Sequence, residues 1–153
     1  MSSTSDPSTW TPPRLRIDRD GVWFHDEVEV THPGIIANLR DNLRVDEGGH
    51  FLQIGPARVP VEVEDAPFVV ERVEALGDGL TATLSDLTRE PVALDTLRVD
   101  ERGIPRCRVK GGRFDARLSR AATYQLLQHV QPGEGSGRSA LVLGGHRYPV
   151  PGL

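Results

Sequence analysis

The sequence predicts an α+β fold in which two similar strand-strand-helix-strand-strand motifs, produced by an internal duplication, pack as one domain with mostly antiparallel sheet. Three observations lead to this prediction. Short apolar runs separated by glycine-rich turns are typical of antiparallel strands. Apolar residues recur at helical spacing in two stretches. The order of strands, turns and helix around the first stretch is repeated around the second.

Hairpins on either side of a helix are predicted for the first half of the chain. Asp20-Gly21 separates two strand-like runs and is a common hairpin turn. Thr31 and Pro33 favour a helix start, because Thr caps free N–H groups and Pro suits the first turn, and His32 is an alternative cap. The predicted elements are strands at 15–18, 22–25, 28–30, 50–54 and 57–63 and a helix with the stripe Ile35, Ile36, Leu39 and Leu43.

The rest of the chain is predicted to continue with strands and then to repeat the early order. Gly77-Asp78-Gly79 suits a tight link between two strands. Pro132 ends the second helical stretch. The predicted elements are strands at 68–76, 80–84 and 91–94, an extended pair around Gly103, a helix at 119–130 with the stripe Leu118, Ala122, Leu126 and Leu127, and a final hairpin at 140–143 and 147–150.

Two sequence repeats support the internal duplication. The pattern Leu-Arg-Ile/Val-Asp-x-x-Gly occurs at residues 15–21, 43–49 and 97–103. In addition, FLQIGPARVPV at 51–61 aligns with ALVLGGHRYPV at 140–150. Each half is too small to close a core alone, so we expect the two to pack together. The predicted organisation is a disordered arm at 1–13 and one domain at 14–153, with repeats at about 15–64 and about 97–150 and a strand-rich connection at about 65–96.

Composition and charge exclude several classes of protein. The 153 residues are 37% hydrophobic with a net charge of −4, so an ordered chain is expected, and DNA or an anionic membrane surface would repel it overall. One cysteine, Cys107, cannot form an internal disulfide or a cysteine-built metal site. It is expected to be a small strand residue. Because no signal peptide or long apolar run is present, a cytoplasmic protein with no nucleic-acid or membrane partner is predicted.

Several segments resemble the bacterial domain of unknown function 1285 (DUF1285) family. They are VEVEDAPFVVERVE at 61–74, VKGGRFDARLSRAATYQLL at 109–127, the opening DGVWFHD with the helix-starting HP, and the closing ALVLGGHRYPV. The resemblance extends from about residue 15 onward. It implies an α+β fold with two similar structural motifs and a suggested role in signal transduction, and it brings no catalytic residues.

The best candidate site is a cationic glycine turn followed by a helix start. Lys110-Gly111-Gly112-Arg113 places two cations around a glycine pair. Arg117 and Arg120 follow at the helix start, where free N–H groups favour anions. This pattern predicts an anion or a small anionic ligand. A β-turn with solvated arginines is the alternative, because the spacing of a P-loop or a dinucleotide-binding fold is absent.

A non-catalytic binding or interaction module, with a role in bacterial signalling, is the leading functional hypothesis, because no catalytic signature is present. It implies a small anionic ligand or a protein partner in a groove or at an edge strand between the two halves, and no cofactor. One alternative is a small metal-dependent or hydrolytic enzyme using His25, His32, Glu64 and Asp65, whose side chains would have to converge. Another is a purely structural subunit with an exposed apolar patch and a stable oligomeric state.

Overall fold

Fifteen short strands and two α-helices form the described part of the chain, which is residues 12–133 and 138–153 of a computed structural model. The strands lie in three sheets, two of six strands and one of three. This architecture confirms the predicted α+β fold class. The predicted disordered arm lies outside the described residues except for Pro12 and Pro13, and so does Trp10.

The first sheet contains the hairpins predicted for the first half. Its strands are β1 (Leu15–Ile17), β2 (Trp23–His25), β3 (Val28–Glu29), β4 (Leu43–Asp46), β5 (Gly49–Ile54) and β6 (Ala57–Val63), and helix α1 (Pro33–Asp41) connects β3 with β4. The spatial order is β3-β2-β1-β6-β5-β4. Two antiparallel three-stranded meanders are therefore joined by the parallel pair of β1 and β6, in which Arg16 lies opposite Glu62.

The second sheet combines the connection with the start of the second half. Its strands are β7 (Phe68–Leu76), β8 (Gly79–Leu84), β9 (Arg89–Pro91), β10 (Arg98–Val99), β11 (Pro105–Val109) and β12 (Phe114–Leu118). The spatial order is β10-β11-β12-β7-β8-β9, with β12 and β7 parallel. The strand predicted at 91–94 is wrong in position, because β9 ends at Pro91 and a 3₁₀ helix follows at Leu94–Thr96.

A second helix and a small third sheet complete the fold. They are α2 (Arg120–Leu127), β13 (Val130–Gln131), β14 (Ala140–Leu143) and β15 (His146–Pro149). The predicted helix at 119–130 is too long at its C-terminal end. The amide of His129 closes a turn on the Leu126 carbonyl, and Val130 pairs with Leu141 in the sheet. Sheet pairing therefore replaces the last helical turn.

Both helices begin with a side chain that accepts hydrogen bonds from the first turn. The Nδ1 atom of His32 accepts from the amides of Gly34 and Ile35, at 3.1 and 3.3 Å. Ser119 Oγ accepts from the Ala122 amide at 3.1 Å. His32 is therefore the cap of α1 rather than Thr31. Among the described residues, no helix has the length and apolar character needed to cross a bilayer.

The three copies of the Leu-Arg-Ile/Val-Asp-x-x-Gly pattern form one kind of turn. In each copy the aspartate Oδ1, in Asp18, Asp46 or Asp100, accepts from the amide two residues later at 2.8–2.9 Å. In the first and last copies the glycine, Gly21 or Gly103, has a φ near +80°, which favours glycine. The repeated sequence thus specifies a strand followed by an Asx turn.

The aligned segments at 51–61 and 140–150 form two hairpins with matching registers. Phe51 lies opposite Pro60 in the first hairpin, and Ala140 lies opposite Pro149 in the second. The two halves differ in assembly, since β4–β6 join β1 in one sheet whereas β13–β15 stand as a separate sheet. Each helix is flanked by three strands on both sides rather than two. A common origin of the two halves stays a prediction.

One apolar cluster draws side chains from all three sheets and from α2. It includes the fully buried Ile17, Trp23 and Phe68 of the two large sheets and Leu141 of the third. Helix α1 contributes no fully buried residue. Its Ile36 and Leu39 are only partly buried against the cluster.

Candidate functional site

The six residues predicted as an anion site lie at the two ends of one strand. Lys110–Arg113 form the turn between β11 and β12, whereas Arg117 is the penultimate residue of β12 and Arg120 begins α2. Arg113 and Arg117 are four positions apart along extended strand, which is about 13 Å. The structure therefore divides the predicted site into two places.

Arg117 and Arg120 line a groove of about 680 Å³ where the two halves of the chain meet. The first half contributes the β1–β2 turn, and the second contributes the β10–β11 turn, the end of β12 and the start of α2. The lining residues are Arg19, Asp20, Val69, Glu71, Gly103, Ile104, Pro105, Arg117, Leu118, Ser119, Arg120, Thr123 and Tyr124. The lining of the groove therefore contains three guanidinium groups and two carboxylates, together with several apolar side chains.

Arg117 is the most buried of the three arginines, with 17% of its side chain exposed. Its Nη2 atom lies 3.3 Å from Asp20 Oδ1 and its Nε atom lies 3.7 Å from Asp65 Oδ2. The Nε–H is buried and has no hydrogen-bond acceptor within the described ranges. Leaving a buried donor unpaired costs free energy of folding. The protein itself therefore does not use the full hydrogen-bonding capacity of Arg117.

The start of α2 adds positive potential to the same groove. Ser119 Oγ bonds both the Ala122 amide and the Glu71 carbonyl, which fixes the helix end against β7. The amides of Arg120 and Ala121 precede the first intrahelical bond, which runs from Thr123 to Ser119. Helix N-termini favour anions for this reason. The Arg120 side chain forms no ion pair with any carboxylate in the described part of the chain.

A network around Arg106 holds the carboxylate that faces Arg117. The Arg106 guanidinium bonds Asp65, Asp100 and Asp115, and only 13% of the side chain is exposed. Burial lowers the pKa of Arg106, but its hydrogen bonds to the carboxylates outweigh this and raise the pKa. The Arg106 hydrogen bond lowers the pKa of Asp100 to about 2. The ion pair with Arg106 therefore fixes Asp65 beside the groove.

This network was missed by sequence reasoning. Its three carboxylates come from the β6–β7 link, the β10–β11 turn and β12, and only the fold brings them to Arg106. The sequence carried a local signal for Asp100, because this residue is the aspartate of the repeated turn pattern. That signal indicated a turn and not a partner for Arg106.

The four residues of the enzyme alternative do not converge. His25 Nδ1 lies 3.6 Å from Asp26, while His32 is engaged in capping α1. Glu64 pairs with arginines of the first sheet, and Asp65 pairs with Arg106. Over residues 12–133 and 138–153, no group of three His, Cys, Asp or Glu side chains is arranged to hold a metal ion. The arrangement that the alternative requires is not formed.

Cys107 is a buried residue of β11, as the interpretation of it as a strand residue requires. Burial raises the pKa of its thiol to about 12. Since the thiolate is the nucleophilic form, the side chain is unsuited to covalent chemistry in the folded protein.

Comparisons with known proteins identify the fold. No family model and no curated protein matches this chain. A crystal structure of a DUF1285 family protein from Silicibacter pomeroyi DSS-3 has a TM-score of 0.74 and 24% identity, and the match covers 98% of this chain and 89% of that one. A second, from Shewanella baltica OS155, has a TM-score of 0.64 and 21% identity, covering 76% of this chain and 91% of that one.

These matches agree with the resemblance carried by the sequence motifs, and they show it at the level of the fold. The chain has the fold of these DUF1285 family proteins.

Proposed function

We propose that the protein is a non-catalytic binding module whose groove between the two halves takes a small anionic ligand. The observation that carries the proposal is Arg117, which lines the groove with 17% of its side chain exposed and whose Nε–H has no hydrogen-bond acceptor among the described residues. An incoming oxyanion would accept from the Arg117 guanidinium and from the first-turn amides of α2. Hydrogen bonds in which one partner is charged are stronger than hydrogen bonds between neutral groups.

The remaining lining favours an organic anion over a bare inorganic ion. Ile104, Pro105 and the ring of Tyr124 form an apolar wall beside the cationic end. Glu71 supplies an acceptor for donor groups on the ligand. Ligand sites commonly combine an apolar wall with a few converging polar groups. A role in bacterial signalling, a cytoplasmic location and the internal duplication belong to this proposal.

Thermal unfolding with a panel of organic phosphates, carboxylates and sulfates tests the proposal. A ligand present at 100 times its Kd raises the free energy of unfolding by ~2.7 kcal/mol, so Tm should rise with one class. Arg117→Ala combined with Arg120→Ala should abolish the shift, and Tm in buffer shows what the loss of the Arg117 ion pairs costs in stability. Arg147→Ala, on exposed β15, is the matched control and should keep the shift.

Each outcome has a definite meaning. An equal shift for the groove variant and the wild type would overturn the groove assignment. No shift with any member of the panel would overturn the small-ligand proposal and favour a protein partner.

A further inference from the structure

The other part of the divided site, the turn at Lys110–Arg113, lines a second cavity of about 310 Å³. The end of α1 and the start of β4 close it from the opposite side with Arg40 and Arg44. This cavity shares no lining residue with the groove. Four cationic side chains, from both halves of the chain, therefore face one space.

The negative charge in this cavity is smaller than the positive charge. Lys110 Nζ is paired with Asp86 at 2.9 Å and also bonds Thr88. Asp41 is the other carboxylate in the lining. Four cations against two carboxylates leave an excess of two positive charges.

Two of the three guanidinium groups are held in place by backbone carbonyls alone. Arg44 Nη1 donates to the carbonyls of Asp41 and Leu43, at 2.8 and 2.9 Å. Arg113 Nε donates to the Lys110 carbonyl at 2.9 Å. Neither arginine pairs with a carboxylate in the described ranges. Both side chains are thus oriented, and both retain free N–H groups.

Arg40, in the same cavity lining, is only partly hydrogen-bonded. Its Nη2 atom donates to the Gly21 carbonyl at 3.1 Å, while its buried Nε–H has no acceptor among the residues described. Burial lowers the pKa of Arg40, because a charged group loses hydration there. A nearby anion would supply the missing compensation.

We propose that this cavity is an oxyanion site, separate from the groove, which takes inorganic phosphate or the phosphate group of a monoester. Arg40, Arg44 and Arg113 bind it through guanidinium N–H groups, whose planar geometry matches phosphate oxygens. Lys110 contributes charge. Because the cavity is closed by α1 and β4 on one side and by the β11–β12 turn on the other, the anion links the two halves of the fold.

Calorimetric titration of inorganic phosphate tests this site in the groove variant Arg117→Ala/Arg120→Ala, so that the groove cannot contribute. Adding Arg44→Gln and Arg113→Gln should weaken phosphate binding at least tenfold. Adding Arg147→Gln, an exposed arginine outside both cavities, should leave it unchanged. Arg44→Lys should weaken phosphate binding to an intermediate extent, because lysine keeps the positive charge but lacks the planar, paired N–H donors of a guanidinium group.

Two results would overturn the proposal: no binding up to about 10 mM phosphate, ten times a Kd of about 1 mM, or equal binding by the Arg44/Arg113 variant. Tm measured without phosphate shows whether each variant is folded. The groove proposal is judged separately, because it depends on Arg117 and Arg120 and on the organic anions. A parallel titration with phenyl phosphate shows whether the site prefers a phosphate monoester or the free phosphate ion.

Discussion

A single ion pair, between Arg117 and Asp20, engages one of the three guanidinium groups of the groove. Asp20 lies at the tip of the β1–β2 turn with 70% of its side chain exposed, and it approaches Arg117 from 97 residues away in the sequence. The spacing of Arg117 and Arg120 could be read from the sequence. Asp20 could not be placed there, because nothing local to the β1–β2 turn indicates which surface it meets.

Asp20→Asn should increase the affinity of the groove for its anionic ligand about two- to fivefold. The carboxylate competes with the ligand for Arg117, and an exposed ion pair is worth up to about 1 kcal/mol. Titration calorimetry with the anion found in the panel measures the change. Asp78→Asn removes the same charge from an exposed position outside the groove lining, and an equal gain there would show that the effect is general electrostatics.

Asp100 should make the protein less stable as the pH falls from about 4 to about 2. Its pKa is about 2 in the folded protein against an ordinary 3.8, chiefly because Arg106 donates to it. The unfolded state therefore takes up the proton first, and the free energy of unfolding decreases through this window.

The variant Asp100→Asn isolates that contribution. It keeps an oxygen for the turn amides of Arg102 and Ile104 but loses the charge that faces Arg106. Urea unfolding should show the variant less stable than wild type at pH 7, with the difference shrinking towards pH 2. Asp95→Asn, at an exposed carboxylate of the 3₁₀ helix, is the control. A difference that is constant with pH would contradict the assignment.

At the scale of elements, the hairpins and helix starts were predictable because their signals are local. Asp-Gly turns, a Pro in the first helical turn and apolar alternation all lie within a few residues of the structure they specify. The parallel pairs β1–β6 and β7–β12 were not predicted. They join segments about 46 residues apart or more, and alternation alone does not select a strand's neighbour.

The start of α1 depends on His32. Replacing His32 by Ala should lower the free energy of unfolding by about 1 kcal/mol, the usual cost of removing an N-cap acceptor. His32→Asn should recover most of the loss, because asparagine is among the best N-caps. Urea denaturation monitored by circular dichroism measures both. If Thr31→Ala proves more costly than His32→Ala, the cap has been assigned to the wrong residue.

At the scale of the whole molecule, the third sheet is attached to the second through a contact between two hairpin turns. Tyr148 Oη donates to the Asp78 carbonyl at 3.0 Å. Gly144, in the β14–β15 turn, lies so close to the β7–β8 turn that an added Cβ would be 3.0 Å from Asp78 Cα. The final hairpin, although small, is thereby fixed to the strand pair that also supports α2.

Gly144→Ala and Gly55→Ala separate this packing from backbone strain. Both glycines have a φ of +55° at equivalent hairpin turns, but nothing lies within 4 Å of a Cβ at Gly55. Alanine should cost about 1–2 kcal/mol at either position from the left-handed backbone. At Gly144 a further cost of about 1–3 kcal/mol is expected from overpacking against Asp78. Equal losses in urea unfolding would mean that the third sheet shifts without cost, and that the turn contact does not hold the third sheet to the second.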